Sequence, residues 1–272
     1  MQYSVPKEVA KVTSELEKKG FEAYVVGGCV RDLLLKREPE DWDVATNARP
    51  EEIQKIFKDS FYENQFFTVT VLTNSKEENL KEVEITTFRS DAKYTDRRRP
   101  EEVEYAKTIE EDLARRDFTM NAIALRGQGK EQTVIDPYDG QKDIKKKEIV
   151  AVGEAQERFQ EDALRMMRAV RFKATLGFNI EKETKKAIKY NSDLIKEISQ
   201  ERIRDEFIKL IDSKGAVDGI EELRELNLLK HFLPELEEGY GVGQNKHHIY
   251  TVWEHNLYAL KYAVEQDWET LV

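Results

Sequence analysis

The spacing of apolar and polar residues divides the chain in two. In the first part the period alternates between helix and strand. Val9, Val12 and Leu16 recur at three- and four-residue spacing, which predicts a short amphipathic helix over residues 6–19 that Gly20 can end. The apolar run at the end of residues 21–26 predicts a first buried strand. Residues 31–35 have helical character, and Pro39 separates them from a strand at Asp41–Asp43. Arg49-Pro50-Glu51-Glu52 opens a further helix through Phe57, with proline and acids in its first turn. Residues 66–73 and 82–88 alternate with a period of two around a polar turn, which predicts a hairpin. Residues 90–100 read as a polar loop, and Asp136-Pro137-Tyr138-Asp139-Gly140 as a turn. Beyond about Val150 the strand pattern disappears. Residues 157–176 and 197–210 predict helices, residues 215–233 one or two more, and Gly239-Tyr240-Gly241-Val242-Gly243 a loop.

Composition narrows the class. The 272 residues suit one large or two medium domains. A hydrophobic share of 39% allows a core, and 36% charged residues imply helices with charged outer faces rather than disorder. A net charge of −10 argues mildly against nucleic-acid binding, although local patches decide it. The single cysteine, Cys29, rules out an intrachain disulfide framework and fits a reducing compartment. It reads as a small buried residue. The first residues lack a basic region followed by an apolar core, and no apolar run approaches the ~20 residues of a membrane span. The expectation is a soluble cytoplasmic protein without repeats or low-complexity tracts.

Candidate chemistry concentrates at Gly27-Gly28-Cys29-Val30-Arg31-Asp32, followed by Asp41-Trp42-Asp43. Two glycines after a buried strand let the backbone turn and approach something bulky and anionic. A helix beginning there offers N–H groups and a positive dipole end to a phosphate. In an extended strand Asp41 and Asp43 point the same way, and two adjacent carboxylates repel unless a cation lies between them. Beside a phosphate site that cation is typically Mg²⁺, held by one or two carboxylates and by substrate phosphates. Glu84, on the same strand face as Glu82, adds the third carboxylate that a two-metal site often uses.

Together, and continuing through Val44-Ala45-Thr46 and Pro50, these motifs resemble the signature of the nucleotidyltransferase superfamily. The form is that of class II tRNA nucleotidyltransferases (CCA-adding enzymes) and bacterial poly(A) polymerases. The resemblance covers residues 20–210. It implies an α+β fold: a catalytic head over residues 1–150 with a small mixed β-sheet flanked by helices, a helical neck over 151–210, and a helical body over 211–272. It implies transfer of C or A from CTP and ATP to the 3′ end of tRNA, with Mg²⁺ on Asp41 and Asp43 and with Glu84 as the third carboxylate. Addition of A alone and poly(A) synthesis are the alternative activities, and an inactive RNA-binding module is a remote one. One departure stands beside the site: Phe66-Phe67 precede Thr68-Val69 where the family usually has His-Gly or a similar small residue.

Further residues follow from the same resemblance. Gly28, Arg31, Arg116, Asp117 and Asn121 would contact the nucleotide, the last two sharing a helical face at a spacing of four. Arg97, Arg98 and Arg99 resemble part of the flexible loop kept by family members that add A, and would contact phosphate or RNA. In the neck, Asp162, Arg165, Arg168 and Arg171 recur every third residue, which in one continuous helix places Asp162 beside Arg165. A carboxylate accepts from the amino group of C or A, and a guanidinium donates to a ring nitrogen or carbonyl. The carbonyl oxygens of U and G at the corresponding place would be repelled, so such a pair can select C and A without a template. Arg168 and Arg171 would contact base or phosphate. Glu201-Arg202-Ile203 resembles the next neck motif. His247, His248 and His255 resemble the start of an HD phosphohydrolase domain, but the His-Asp pair and final Asp do not follow, so they read as structural. The chain is expected to stop short of the regions by which family members hold tRNA.

Overall fold

The computed structural model describes residues 3–63, 67–91, 103–245 and 247–266. Two compact units meet in sequence at Lys146–Lys147.

The first unit is built on a seven-stranded mixed sheet. Its elements in order are α1 (Lys7–Lys18), β1 (Ala23–Val26), α2 (Gly28–Leu34), β2 (Asp43–Thr46), α3 (Pro50–Ile56), β3 (Ser60–Glu63), β4 (Thr68–Leu72), β5 (Glu82–Thr87), β6 (Arg89–Asp91), β7 (Val103–Tyr105), α4 (Ile109–Ala114), β8 (Ala124–Arg126), β9 (Thr133–Ile135) and α5 (Gly140–Lys146). The sheet order is β3-β4-β5-β2-β1-β8-β9. β2 and β5 run parallel, and the other pairs in the sheet are antiparallel. Strands covered on both faces read as continuous apolar runs. β1, next to the central strand β2, is buried at all four positions. β5 alternates, with Val83, Ile85 and Thr87 inside and Glu82 and Glu84 outside. The buried stripe of α1 is Val9, Val12 and Leu16, joined by Ala10.

Several elements differ from the sequence expectation. β2 starts at Asp43, so Asp41 lies in the bend before the strand rather than within it. The helix after the glycines begins at Gly28, three residues earlier than expected, with Gly27 as its N-cap. β3, β8 and β9 add strands of three or four residues that periodicity did not pick out. The start of the polar loop is strand: β6 pairs antiparallel with β7. Phe67, at the departure from the family pattern, adopts φ 55° and stacks on Tyr105 at 4.8 Å.

The second unit is helical. It comprises β10 (Glu148–Ile149), α6 (Ala155–Glu161), α7 (Leu164–Leu176), β11 (Asn179–Ile180), α8 (Lys182–Asn191), α9 (Gln200–Ile211), α10 (Ala216–Glu225), α11 (Pro234–Glu238) and α12 (Val252–Glu265). The two short strands pair parallel, Ile149 opposite Ile180. The expected single helix over 157–176 is two helices, because Asp162 takes an extended conformation (φ −147°, ψ 102°) between α6 and α7. α7 packs on α9 and α10, with Met166, Met167, Val170 and Phe172 in the core. Among the described residues no helix is long and apolar enough to cross a membrane.

Candidate active site

Strand register brings the acidic residues together. Asp43 is the Cα partner of Glu84 on β5 and of Val26 on β1. The buried Trp42 separates Asp43 from Asp41 and anchors the segment, leaving Asp41 exposed and Asp43 half-buried. Burial pushes the Asp43 carboxyl up to about 7; the Asp41 charge adds to this, Arg116 opposes it and Glu84 raises it further. The three carboxylates therefore act as one electrostatic cluster. Among the described residues no group of three or more acidic, His or Cys side chains is placed to hold a metal unaided. A pair of carboxylate oxygens completed by phosphate and water suits Mg²⁺, which is bound in that way in nucleotide sites. A divalent cation would also relieve the repulsion that raises the Asp43 carboxyl, so the donor set fits that ion.

The glycine turn sits against this cluster. Gly27 adopts φ 79°, and a Cβ there would come within 2.8 Å of Arg116 Nη1 and 3.3 Å of Asp43 Oδ2. At Gly28 the nearest atom to an added Cβ is Arg31 Nη2 at 3.6 Å, ordinary contact. The position that requires glycine is thus Gly27, which the sequence reading passed over for its neighbour. Cys29 is fully buried, its Sγ donates to the Val26 carbonyl at 3.1 Å, and burial pushes the thiol up to about 12. It has no nucleophilic character.

The cationic side of the site comes from two places. Arg31 donates through Nη1 to Asn121 Oδ1 at 3.0 Å and through Nε and Nη2 to Asp32, at 3.0 and 2.8 Å. Arg116 donates through Nη2 to Asp112 Oδ2 at 3.2 Å. Its buried Nε has no hydrogen-bond partner among the described residues. An unsatisfied buried donor beside a carboxylate cluster is what an incoming phosphate oxygen would satisfy. Burial opposes ionisation of Asp112, but Arg115 and Arg116 outweigh it and hold its carboxyl below the usual range. Asp112 is 1% exposed and fixes Arg116 in place. The sequence reading did not single it out, although its i,i+4 spacing to Arg116 was visible.

Asp117 and Asn121 do meet, Nδ2 of Asn121 donating to Asp117 Oδ1 at 3.0 Å. They do so outside an α-helix. α4 ends at Ala114 and a 3₁₀ turn spans Thr119–Asn121. Asp117 also accepts from the Phe118 N–H at 2.8 Å, and Thr119 Oγ1 donates to the buried Asp143 of α5 at 2.7 Å. Gly140 lets α5 press on this turn, since a Cβ there would lie 2.2 Å from the Thr119 carbonyl oxygen. Asp136 caps α5 by accepting from the Gly140 and Gln141 N–H groups at 2.7 and 2.9 Å. Arg97, Arg98 and Arg99 lie outside the described residues.

In the second unit the expected Asp162–Arg165 pair is replaced. The chain leaves the helix at Asp162, so i,i+3 adjacency does not apply. Asp162 instead accepts from Arg202 Nη2 at 2.7 Å and Nη1 at 3.3 Å, and from the Leu164 N–H at 3.1 Å. Arg165, buried, donates to Glu161 Oε2 at 2.6 Å and to the Arg158 carbonyl at 3.1 Å. Arg171 donates to Glu206 Oε2 at 2.6 Å, Arg168 to Glu206 Oε1 at 3.4 Å, and both guanidiniums lie over the Phe172 ring. Arg202 and Glu206 are therefore organising residues that went unassigned. Their i,i+4 spacing on α9 was the available signal.

His247, His248 and His255 are exposed, so they have no part in the core; the rings of His248 and His255 stand 6.3 Å apart. Order there comes from Trp253, which is 2% exposed and donates through Nε1 to Glu221 Oε1 at 2.8 Å.

Comparison with known proteins places these features in context. Residues 23–150 match a family described as the poly A polymerase head domain, and residues 177–239 one described as the probable RNA and SrmB-binding site of polymerase A. Over 206 residues the chain is 52% identical to a CCA-adding enzyme of Lactobacillus delbrueckii subsp. bulgaricus, covering 75% of this chain and 50% of that one. Over 232 residues it is 46% identical to a CCA-adding enzyme of Bacillus cereus, covering 85% and 56%. The chain thus spans about half the length of the curated relatives it matches. Among solved structures, the Bacillus stearothermophilus CCA-adding enzyme in complex with CTP has a TM-score of 0.77 at 39% identity, over 86% of this chain and 56% of that one. A tRNA nucleotidyltransferase complexed with a primer tRNA and an incoming ATP analog has a TM-score of 0.72 at 27% identity, over 96% and 71%.

Proposed function

Because the chain belongs to the family of class II tRNA nucleotidyltransferases and bacterial poly(A) polymerases, we propose that it adds C and A from CTP and ATP to the 3′ end of tRNA without a template. The observation that carries this reading is the Asp41, Asp43 and Glu84 cluster against the Gly27 turn, with the unsatisfied Arg116 Nε beside it. Pure RNA binding has no use for three carboxylates gathered into one mutually repelling cluster.

In this reading the RNA 3′-hydroxyl attacks the α-phosphate of the bound triphosphate, and pyrophosphate leaves. Nucleotidyltransferases of this family are generally metal-dependent. Asp41 and Asp43 would hold Mg²⁺, which supplies a lowered hydroxyl pKa and charge neutralisation of the departing pyrophosphate. Glu84, opposite Asp43 on the neighbouring strand β5, adds negative charge. Gly27 keeps the backbone low enough for the triphosphate to approach, and Gly28 opens the helix beside it. Arg116, fixed by Asp112, donates from Nε to a phosphate oxygen. Arg31, braced by Asp32 and Asn121, supplies a second cation, and the Asp117–Asn121 pair holds the turn that orients it. Arg97, Arg98 and Arg99 would add phosphate or RNA contacts.

Base selection falls to the second unit, where Asp162 accepts the amino group of C or A and Arg165, Arg168 and Arg171 supply donors. Among the described residues, Oδ2 of Asp162 accepts only from Arg202 Nη2, which leaves it a lone-pair site for the amino group of a base while Arg202 stays in place. The test uses two variants with a labelled tRNA lacking its 3′ end. Asp43→Ala is expected to abolish incorporation, and near-normal incorporation would sink the metal site. Asp162→Ala is expected to admit UTP and GTP, and retained selection of CTP and ATP would sink the base-reading role.

A further inference from the structure

The second unit carries a groove of about 640 Å³ that nucleotidyl transfer as described does not use. Four lysines of α8 form one wall, Lys182, Lys185, Lys186 and Lys189, and the last residues of α10, Arg224 and Glu225, with Leu226 and Asn227 just beyond it form another. The lysine spacing of three, one and three residues puts all four on one helix face. The opposite face of α8 buries Thr184, Ala187, Ile188 and Asn191.

These lysines are unequally engaged. Lys185 is structural: its Nζ lies 2.7 Å from the buried Glu222 and 3.5 Å from Glu225. Lys186 reaches Glu183 at 2.8 Å, but the two side chains are 61% and 69% exposed, and such pairs hold weakly. Lys182 and Lys189 make no side-chain ion pair among the described residues. Lys182 is moreover the first residue of α8, where the helix dipole disfavours a cation. On the other wall the Arg224 guanidinium lies 3.9 Å from the Tyr240 ring centre, with Glu221 at 3.3 Å. The lining sets five cations against two carboxylates, Glu225 and Glu237, in a chain of net charge −10.

A local excess of positive charge on an acidic protein selects for an anion. The lysines do not converge on a point. They run along the helix for roughly 10 Å at 1.5 Å per residue, the reach of a few consecutive phosphates on one strand. Flexible, strongly hydrated ammonium groups in a row suit a repeating backbone better than a single small anion.

We infer that the α8 lysine groove docks the phosphate backbone of the RNA substrate. This rests on the reading of the chain as one that acts on tRNA. The groove lies inside residues 177–239 and gives that segment's RNA contact a location and a chemistry. It acts through phosphates alone, so it contributes affinity without base selection.

The test is tRNA binding by fluorescence anisotropy from 50 to 300 mM KCl. It compares the unaltered chain with Lys182→Glu/Lys186→Glu/Lys189→Glu, and with Lys7→Glu/Lys19→Glu/Lys58→Glu as a control for net charge. Lys185 is left in place because it holds Glu222. The expected result is a slope of log K against log salt that is shallower by about 2–3 in the groove variant, with affinity at 100 mM KCl lower by about tenfold or more. The control is expected to change the slope by less than 1. Equal slopes in all three proteins overturn the groove while leaving the proposed function standing. A slope change equal in groove variant and control also overturns it, since charge alone would then account for the effect. If the groove variant instead loses inorganic pyrophosphate binding with its tRNA slope intact, the groove is a small-anion site and the inference fails. No tRNA binding by the unaltered chain overturns the groove, and the incorporation assay then decides the proposed function separately.

Discussion

Asp43→Asn separates the electrostatic account of the carboxylate cluster from a merely structural one. A carboxyl raised from 3.8 to about 7 is protonated in the folded state over a range where the unfolded chain ionises it. The folded state then binds more protons than the unfolded state between about pH 4 and 7, so this group's contribution to stability falls as pH rises through that window. Below pH 4 the penalty is absent, and above pH 7 it is complete. Its ceiling is about 4 kcal/mol at 1.36 kcal/mol per pKa unit. The shift is already net of the attraction to Arg116, and Asp43 is only half-buried, so solvent screening reduces the ceiling to about 2 kcal/mol. Asparagine keeps the shape and removes the charge. In the absence of divalent ions, urea denaturation is therefore expected to find the variant more stable by about 2 kcal/mol at pH 8, with the difference vanishing near pH 4. Adding MgCl₂ at pH 8 should stabilise the original protein and not the variant, because cation binding relieves the same repulsion. A stability difference that is independent of pH, or a variant destabilised at pH 8, would refute the coupling of Asp43 to Asp41 and Glu84.

Other expectations follow from single contacts. Gly27→Ala should cost about 2–3 kcal/mol in urea denaturation, because alanine is strained at φ 79° and its Cβ meets Arg116 Nη1, whereas Gly28→Ala should cost under about 1 kcal/mol. Glu206→Ala, which removes the buried acceptor of Arg168 and Arg171, should cost about 2–3 kcal/mol by the same measurement. Cys29 should resist a thiol reagent at pH 8 in the folded protein and react stoichiometrically in denaturant; rapid reaction of the native protein would contradict its burial and raised pKa.

How far the sequence could be read depended on the range of the interactions involved. The strand before the glycines and the hairpin of β4 and β5 were accessible because each follows from local period and alternation, whereas the placing of Glu84 beside Asp43, a parallel pairing of distant strands, came only from the family resemblance. Asp112 and Arg202 were not assigned because their roles depend on where the chain goes next: Asp112 holds Arg116 beyond the end of α4, and Arg202 on α9 reaches Asp162 forty residues back. The break at Asp162 was hidden for a different reason. Asp162, Arg165, Arg168 and Arg171 fit a continuous helical period, and only the extended backbone at Asp162 turns its carboxylate to Arg202. Three-residue strands such as β8 and β9 are too short to show a period. Gly27 and Gly28 are indistinguishable in composition, and only the approach of Arg116 and Asp43 singles out the first.

The most direct test of the central claim uses three tRNA substrates, ending before CCA, after C and after CC. Each is incubated with Mg²⁺ and each labelled nucleoside triphosphate, and products are sized on a gel. The account predicts C, then C, then A, followed by arrest, with UTP and GTP excluded throughout. Incorporation of A alone on the CC-ended RNA, a long A ladder, or no incorporation on any substrate would contradict it.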